Sequence, residues 1–478
     1  MSDPVPVLAI MGHPNAGKSS VVATLTENDR IQIDKRAGTT TTCTRYPVVI
    51  DGDRILEFID TPGFQNPSDI LEWFQAHPER PNLAGAFVAA HEHQPLFVHD
   101  CDLLRPVAEG AGIILVVDGS KRIKEKDRVE MELLRLTARP RMAILNNQSN
   151  LDRHMGAWRD ALNMAFNAVR EFNAHRATYD ERIRLLGALK TIDQRWEASL
   201  DHTVRSFERD WSRRIDQSVE SILTLMKKAL TLKVERLVRV DEAPTQADIE
   251  AIQATLLETF QERLRRLEAE TQAEIRGHFR HNVWNPPGSV LAKDLFSEEV
   301  QQTLGLNRRQ LALVGAAAGG ALGGAIDLAV GGLSLGTGVL LGAITGGVLG
   351  AFGREGLAKI DIERRLGIQR LTMGPVQNPK FPFVLLDRSL LYCARAMNWS
   401  HGRQAADETT PNRVPERESR RSAGFTESLQ AADQKTLAQF FAAARKGKES
   451  SLEPQCREIL AGILHGLSTS TIDARADL

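Results

Sequence analysis

The most constraining feature of the chain is a glycine-bearing loop that directly follows a short apolar run near the amino end. The run Val7–Met11 has the composition of a buried parallel strand, and GHPNAGKSS follows it at once. Four residues of the loop fit the pattern GxxxxGK[ST]: Gly12, Gly17, Lys18 and Ser19. Such a loop turns its backbone N–H groups toward phosphate oxygens, and the helix expected from Ser20 to Thr26 directs its positive end at them.

The side chains of this loop predict a nucleoside triphosphate bound with Mg²⁺. Lys18 would reach the β- and γ-phosphates, and the Ser19 hydroxyl would bind the metal ion. The residues expected to contact nucleotide are Gly12, His13, Pro14, Asn15, Ala16, Gly17, Lys18, Ser19 and Ser20. Because the pattern also arises by chance at ordinary strand-to-helix turns, the interpretation depends on the segments that follow.

A β-hairpin is expected next, with strands at 46–50 and 54–59 around the turn at 51–53. Its second strand ends at Asp60, and Thr61-Pro62-Gly63 follows. An acid at that point can hold the Mg²⁺ shell, and a glycine N–H three residues later can contact a γ-phosphate. The order and spacing therefore match a nucleotide switch.

The segments GHPNAGKSS, GTT and DTPG resemble the bacterial small GTPases of the Era and MnmE (TrmE) group. This resemblance implies an α/β P-loop GTPase domain with a mostly parallel sheet over residues 1–177. It further implies that Thr40 closes over Mg²⁺ together with Ser19 and Asp60, and that Asn15 helps to hold K⁺ beside the phosphates. The catalytic residues that it implies are Lys18, Thr40, Asp60 and Gly63.

Two positions depart from the GTPase pattern. Phe64 stands where Ras-type enzymes have a catalytic glutamine, so we expect slow hydrolysis assisted by a cation or a partner residue. The family's guanine-selecting N-K-x-D motif is matched by Asn146-Asn147-Gln148-Ser149, in which Ser149 replaces the aspartate. We expect Asn146 to contact nucleotide and guanine to be the base, with relaxed base specificity as the alternative. The last loop of the domain is predicted at 172–175.

A long connection, residues 64–112, separates Gly63 from the strand predicted at 113–117. It contains a group of zinc-ligand residue types: His91, His93, His99, Cys101 and Asp102. Their spacings match no established zinc pattern. We therefore favour surface histidines on a switch II insertion that contacts a partner or regulates nucleotide access.

Apolar residues recur in steps of three and four from 178 to 239. This periodicity predicts one helix on the order of 90 Å long. A second stripe, Ile249 to Ile275, predicts an antiparallel return, so residues 178–283 would form a stalk outside the compact GTPase domain. An ordinary helical bundle is the alternative. Residues 284–310 are predicted to be a linker.

A glycine-rich segment sets this chain apart from ordinary soluble GTPases. Of the 36 glycines, 14 fall in the 43 residues Leu311 to Gly353, where Asp327 is the one ionisable side chain. The segment could cross a bilayer twice at about 20 residues per span, and its glycines at every fourth position suit close helix pairing. Flanking basic residues would keep both ends cytoplasmic: Arg308, Arg309, Arg354 and Lys359. We predict a membrane-interacting helical hairpin, with a buried glycine-rich hairpin or a linker as alternatives.

The carboxyl end is predicted to be a small α-rich region. Its expected parts are a basic helix at 361–370 within 354–403, a strand at 381–386, a helix to Met397, a flexible linker at 404–424, and helices near 426–444 and 452–467 within 425–478. None of these segments carries recognisable site chemistry.

Composition narrows the functional classes. Lys+Arg number 60 against 61 Asp+Glu, and this balance argues against nucleic acid as the main partner. Four cysteines without short spacings argue against a disulfide framework, and the amino end predicts no signal peptide. We expect a protein at the cytoplasmic face of the inner membrane that hydrolyses GTP to GDP and phosphate and couples nucleotide state to the membrane or a membrane-protein partner. A homodimer would form through the GTPase domains or the hairpin. The alternatives are a recruitment switch with negligible hydrolysis and an Era-like RNA-associated GTPase.

Overall fold

The structure is a computed structural model. It describes the following residues: 5–28, 31, 42–147, 153–174, 177–239, 246–281, 291, 293–317, 358–365, 368–399, 401 and 424–469. These residues form two compact units. The first takes those within Met1–Arg213, Arg280–Val283 and Met397–Thr410, and the second takes those within Arg214–Phe279, Trp284–Ala396 and Pro411–Leu478.

A six-stranded sheet organises the first unit. Its strands are β1 Val7–Met11, β2 Thr44–Ile50, β3 Asp53–Asp60, β4 Gly112–Asp118, β5 Arg141–Asn146 and β6 Ala168–Glu171. They are arranged in the order β2-β3-β1-β4-β5-β6, and only the edge strand β2 is antiparallel to its neighbour. The apolar runs of β1, β4 and β5 are buried almost throughout, as expected of parallel strands covered on both faces. The predicted α/β fold and its sheet are therefore confirmed.

Helices cover both faces of this sheet. They are α1 Lys18–Thr26, α2 Pro67–Ala76, α3 Leu83–His91, α4 Val98–Ala108, α5 Glu125–Leu136, α6 Met155–Ala165, α7 Tyr179–Leu189 and the start of α8 Glu197–Thr231. One core layer joins the sheet to α1, α7 and α8, and the other joins it to α2 through α6. The insertion 64–112 thus consists of three helices whose apolar side chains complete the second layer.

The predicted single helix from 178 to 239 is wrong. The chain forms α7, a short 3₁₀ turn at Gln194–Trp196, α8 and then a strand, β7 Val234–Arg239. Trp196 is packed against Gly112, where a Cβ would overlap the indole ring, and Asp193 caps the turn by accepting a hydrogen bond from the Arg195 N–H at 2.9 Å. Steps of three and four do not distinguish one helix from two joined by a turn, because both bury the same side chains.

The stripe on α7 and early α8 also lies on the six-stranded sheet, in contrast to the predicted free stalk. Leu185, Leu189, Leu200 and Phe207 belong to the same core layer as strand residues of the sheet. The Thr203 hydroxyl donates a hydrogen bond to the Ile55 carbonyl at 3.1 Å. The first compact unit consequently extends past residue 177 as far as Arg213.

The second unit combines helices with a three-stranded antiparallel sheet. Besides β7 and the rest of α8, it contains α9 Gln246–His278, α10 Glu298–Thr303, α11 Arg308–Ala317, β8 Ala358–Arg365, β9 Ile368–Val376, α12 Phe381–Met397, α13 Ala431–Arg445 and α14 Glu453–Thr469. The strand order is β7-β9-β8. The antiparallel return of α9 along α8 agrees with the sequence, and Ser218 Oγ lies 3.2 Å from His278 Nδ1 across the pair.

Three further predictions in this unit are wrong. The expected basic helix at 361–370 is the β8/β9 hairpin, because Ile360 and Ile362 alternate with charged residues at the two-residue period of a strand. The strand expected at 381–386 is the first part of α12. The predicted linker 284–310 contains α10 and buries Leu295 and Val300 in its described part, so that part belongs to the folded unit.

The glycine-rich segment falls almost entirely outside the described residues. Helix α11 covers its first seven positions, and the predictions for residues 318–357 and for the linker 404–423 lie outside the described part of the chain. Within the part that the structure describes, no helix has the length and apolar character needed to cross a membrane.

Asp387 joins three segments of the second unit and yields a prediction about stability. Its carboxylate is fully buried and accepts hydrogen bonds from the Gly305 N–H at 2.8 Å, the Thr426 N–H at 2.8 Å and the Thr426 hydroxyl at 2.9 Å. Burial raises the pKa of Asp387 to about 6 from 3.8, despite these donors. A proton therefore binds this carboxyl more tightly in the folded chain than in the unfolded chain.

We expect Asp387→Asn to lower the free energy of unfolding by about 1–3 kcal/mol at neutral pH, since the amide has one acceptor oxygen for the three donors. Because the folded pKa is raised, the stabilising contribution of protonation is complete below pH 3.8 and is lost as the pH rises through about 6. Urea unfolding between pH 4 and 7 measures both effects. An identical pH dependence in the wild type and the variant would contradict the assignment.

Candidate functional site

The loop between β1 and α1 adopts a backbone conformation that depends on glycine at positions 12 and 17. Gly12 has φ 134°, and a Cβ at that position would overlap the carbonyl oxygen of Val116. Asn15 has φ 64° and Gly17 has φ 95°, so the chain enters the left-handed region twice more before α1 begins. Turns of this kind form a concave row of backbone N–H groups at a helix amino end, which is an anion-binding arrangement.

Lys18 lies across this loop. Its side chain is buried, and Nζ donates hydrogen bonds to the carbonyl oxygens of Gly12 at 2.9 Å and His13 at 3.1 Å. Burial lowers the pKa of Lys18, while the carboxylates of Asp60 and Glu130 act in the opposite direction. The loop therefore holds a positively charged group on its own carbonyls, where it is positioned to neutralise a phosphate.

Ser19 and Asp60 bring two oxygen donors together beside Lys18. The Ser19 hydroxyl donates a hydrogen bond to Asp60 Oδ2 at 2.7 Å. Parallel pairing of β1 with β3 sets this contact, since Ile10 is in register with Asp60. A hydroxyl and a carboxylate are hard oxygen ligands of the type that Mg²⁺ takes, so the donor set fits this ion.

Gly63 approaches the phosphate loop from the end of β3. A Cβ on Gly63 would lie 3.0 Å from the Pro14 ring, closer than real Cβ contacts normally are. The neighbouring Thr61 hydroxyl donates to the Ile10 carbonyl at 2.7 Å and anchors this stretch to β1. The end of the DTPG segment thus lies next to the phosphate loop.

Asn146 connects the phosphate loop with the carboxyl ends of β5 and β6. Its buried side chain donates to the Ala16 carbonyl at 2.9 Å and accepts from the Ala174 N–H at 3.4 Å. Asn173 Nδ2 donates to the Asn147 carbonyl at 2.7 Å. The loop predicted at 172–175 therefore lies beside Asn146 over its described residues, and the Asn146 amide holds these segments together.

Not every predicted site residue can be placed. Thr40, Ser149 and His175 lie outside the described residues. Ser20 is buried in α1, and Pro14 and Asn15 are exposed.

The histidines and cysteine of the insertion are not brought together as metal ligands. His91 stacks on Phe87 at 4.3 Å between ring centroids, and Cys101 is buried in the second core layer. Among the described residues, no group of three or more His, Cys, Asp or Glu side chains is arranged to hold a metal ion.

Sequence reasoning missed an ionisable cluster behind the phosphate loop. His13 Nε2 lies 3.0 Å from Asp127 Oδ1 and 3.7 Å from Glu130 Oε1, at the edge of a cavity of about 150 Å³. Burial raises the pKa of Glu130 to about 7. The acids of α5 are ordinary helix residues in the sequence, and the parallel crossover that places α5 under the loop is what makes them part of the site.

Comparisons with known proteins agree with this geometry. The model of the 50S ribosome-binding GTPase family matches residues 7–147, and that of a domain of unknown function, DUF3482, matches residues 159–461. The tRNA modification GTPase MnmE of Lactobacillus delbrueckii subsp. bulgaricus is 32% identical over 149 residues, which cover 31% of this chain and 26% of that protein. The GTPase Era of Ureaplasma parvum serovar 3 is 27% identical over 130 residues, covering 26% of this chain and 43% of Era.

The alignments thus span less than half the length of these curated relatives. A crystal structure of Era in complex with MgGDPNP and nucleotides of 16S ribosomal RNA aligns with 51% of this chain and 74% of its own, at 15% identity and a TM-score of 0.29. The resemblance to the Era and MnmE group is confirmed for the amino-terminal domain. With a P-loop GTPase domain of this type in front of a match that covers residues 159–461, the chain belongs to the family of the domain of unknown function DUF3482.

Proposed function

We propose that this protein binds GTP with Mg²⁺ and hydrolyses it to GDP and phosphate, using the change of nucleotide to control a membrane or a membrane partner. The observation that carries the proposal is the convergence of Lys18, Ser19 and Asp60 at one loop. A buried lysine, a hydroxyl and a carboxylate at a helix amino end are the groups required to bind a triphosphate and its metal ion.

Each side chain has a distinct role in this proposal. Lys18 neutralises charge on the β- and γ-phosphates, and the loop N–H groups orient the phosphate chain. Ser19, Asp60 and Thr40 hold Mg²⁺, which supplies electrostatic stabilisation of the charge that develops during phosphoryl transfer. Gly63 donates its N–H to the γ-phosphate, and Asn146 keeps the phosphate and base loops at a constant distance.

Water activation cannot come from the residue after DTPG. Phe64 is buried in the second core layer and has no group that could orient a water molecule. We therefore propose that K⁺ bound at Asn15 assists hydrolysis by supplying positive charge beside the phosphates. Asn15 suits this role because it is an exposed residue of the phosphate loop, so its side-chain oxygen is accessible to a cation.

The first test is loss of nucleotide binding. We expect Lys18→Ala to weaken GTP affinity by roughly tenfold to a hundredfold, as the loss of charged hydrogen bonds worth about 1.5–3 kcal/mol requires. Isothermal titration with GTP, ATP and XTP measures the affinity and the base preference, and GTP should bind most tightly. Lys190→Ala, which removes a lysine paired with Asp201 in the same unit, is the control. Unchanged GTP affinity in Lys18→Ala would refute the proposed site.

The second test concerns the cation. Asn15→Gly keeps the left-handed backbone, since glycine adopts it freely, and removes only the side chain. We expect GTP turnover of the wild type to be stimulated at least tenfold by KCl relative to NaCl, and the variant to lose this stimulation while GDP affinity stays within about twofold. Equal turnover in the two salts for the wild type would remove the K⁺ role.

Membrane coupling is the part of the proposal that rests on sequence alone. Residues 311–353 combine glycine at every fourth position with one ionisable side chain, and this composition suits close packing of helices in lipid. Hydrolysis too slow to measure would instead favour a recruitment switch, in which bound nucleotide alone selects the partner.

Flotation with vesicles of phosphatidylethanolamine and phosphatidylglycerol tests the coupling. The intact chain should float with the vesicles, and a variant lacking residues 311–353 should stay at the bottom of the gradient. Deletion of residues 404–423, which keeps the buried Gly424 beside Asp387, is the control and should leave flotation intact. The membrane role fails if the intact chain does not float, or if the first deletion has no effect.

A further inference from the structure

The three-helix insertion makes direct contact with the segment that follows Gly63. Asp100, in the first turn of α4, is 1% exposed. One of its oxygens accepts a hydrogen bond from the Gln65 N–H at 2.9 Å, and the other accepts from the Asn66 N–H at 3.3 Å and from Asn66 Nδ2 at 3.0 Å. Both carboxylate oxygens are thus bound to residues two and three positions after Gly63.

Asn66 shows that this contact replaces a local one. It is the N-cap residue of α2, and an asparagine at an N-cap ordinarily accepts a hydrogen bond from the first turn of its own helix. Here it makes no such bond, and Nδ2 donates to Asp100 and to the Leu96 carbonyl at 2.9 Å. Helix α2 therefore lacks a side-chain N-cap, which would stabilise it by about 1 kcal/mol, and Asn66 bonds the insertion instead.

A second contact holds the same segment from the other side. Lys126 Nζ, on α5, donates to the Phe64 carbonyl at 3.1 Å, and the Phe64 ring is buried. Three consecutive residues after Gly63 are consequently held at their backbone by side chains of α4 and α5. Gly63 itself lies against Pro14 of the phosphate loop, so little freedom remains at the residue that precedes them.

Burying a carboxylate away from water is costly unless donors compensate for it. Three donors and the amino end of α4 provide that compensation for Asp100. All three donors belong to the segment after Gly63, so most of the hydrogen bonding of this charge depends on the path of that segment. The insertion and the position of the Gly63 N–H are therefore linked through one side chain.

We propose that Asp100 is a positioning residue for GTP hydrolysis, which holds the start of switch II so that the Gly63 N–H meets the γ-phosphate. This inference rests on the proposed hydrolysis and deepens it by assigning a task to the insertion. A contact that positions a γ-phosphate donor acts on GTP and leaves GDP binding unaffected, because GDP has no γ-phosphate.

Two variants of the full chain test this role. Asp100→Ala removes all the acceptors, and Asp100→Asn retains one acceptor oxygen and the shape of the side chain. Asp102→Asn is the control, because it removes the same charge from the half-exposed side of α4, where Asp102 lies 3.8 Å from Arg105. Turnover number, KM, and affinity for GDP and for a non-hydrolysable GTP analogue are measured for each protein.

We expect kcat to fall at least tenfold in Asp100→Ala, with Asp100→Asn intermediate and Asp102→Asn within twofold of the wild type. The ratio of GTP-analogue to GDP affinity should fall by a similar factor, while GDP affinity stays within threefold. GDP binding also reports whether each variant is folded, and Asp100→Asn carries the test if Asp100→Ala does not fold.

An equal loss of affinity for GDP and the GTP analogue, with kcat unchanged, would show a merely structural contact and overturn the inference. So would values equal to those of Asp102→Asn. Absence of turnover in the wild type would refute the proposed hydrolysis, and the affinity ratio would still decide whether Asp100 positions the γ-phosphate contact.

Discussion

The close approach of Gly12 to the carbonyl of Val116 is the constraint on which the site depends. It lets the start of the phosphate loop pack closely against β4, and it requires a residue without a side chain at position 12. Because β1 lies between β3 and β4 in the sheet, the loop receives Asp60 and Gly63 from one neighbour. The next strands along deliver Asn146 and Ala174. The strand order thus brings the side chains proposed to bind phosphate, metal and base to one loop.

Burial and neighbouring acids have opposite effects on the pKa of the loop lysine. The buried ammonium of Lys18 faces Asp60 on the nucleotide side and Glu130 behind the loop, and these acids partly offset the effect of burial on its pKa. Burial raises the pKa of Glu130 to about 7, so this acid is only partly ionised at neutral pH. The buried ammonium of the loop thus lies near two acids, one of which titrates close to neutral pH.

The two family matches do not correspond to two separate folded parts. The GTPase match ends at residue 147, whereas the first compact unit continues to Arg213. The DUF3482 match begins inside α6 and therefore includes β6, α7 and the start of α8. Leu185 and Leu189 of α7 complete the core of the GTPase sheet, and Ala174 bonds Asn146. The family's domain thus supplies side chains and loops that the GTPase domain needs for its own stability.

The sequence by itself determined the features whose cause is local. The phosphate loop follows from glycines at positions of positive φ, and the β2–β3 hairpin from the Asp51-Gly52 turn between two apolar runs. Helix α9 follows from its apolar period. The pattern of each is set by residues within a few positions of one another, although the need for glycine at position 12 also comes from Val116, far along the chain. The departure at Phe64 is of the same kind, because it concerns the chemistry of one side chain.

The tertiary structure decided everything that required a partner far along the chain. The turn before α8 forms where Trp196 meets Gly112, and the hairpin β8/β9 forms where β9 pairs with β7. The carboxylate of Asp100 finds its hydrogen-bond donors on Gln65 and Asn66, more than thirty residues earlier. A segment with a given apolar pattern can form more than one secondary structure, and the elements that pack against it determine which one forms. Hydrogen-bond partners and burial are properties of the assembled core. Periodicity alone therefore predicted the apolar faces of the helices but not the elements against which those faces pack.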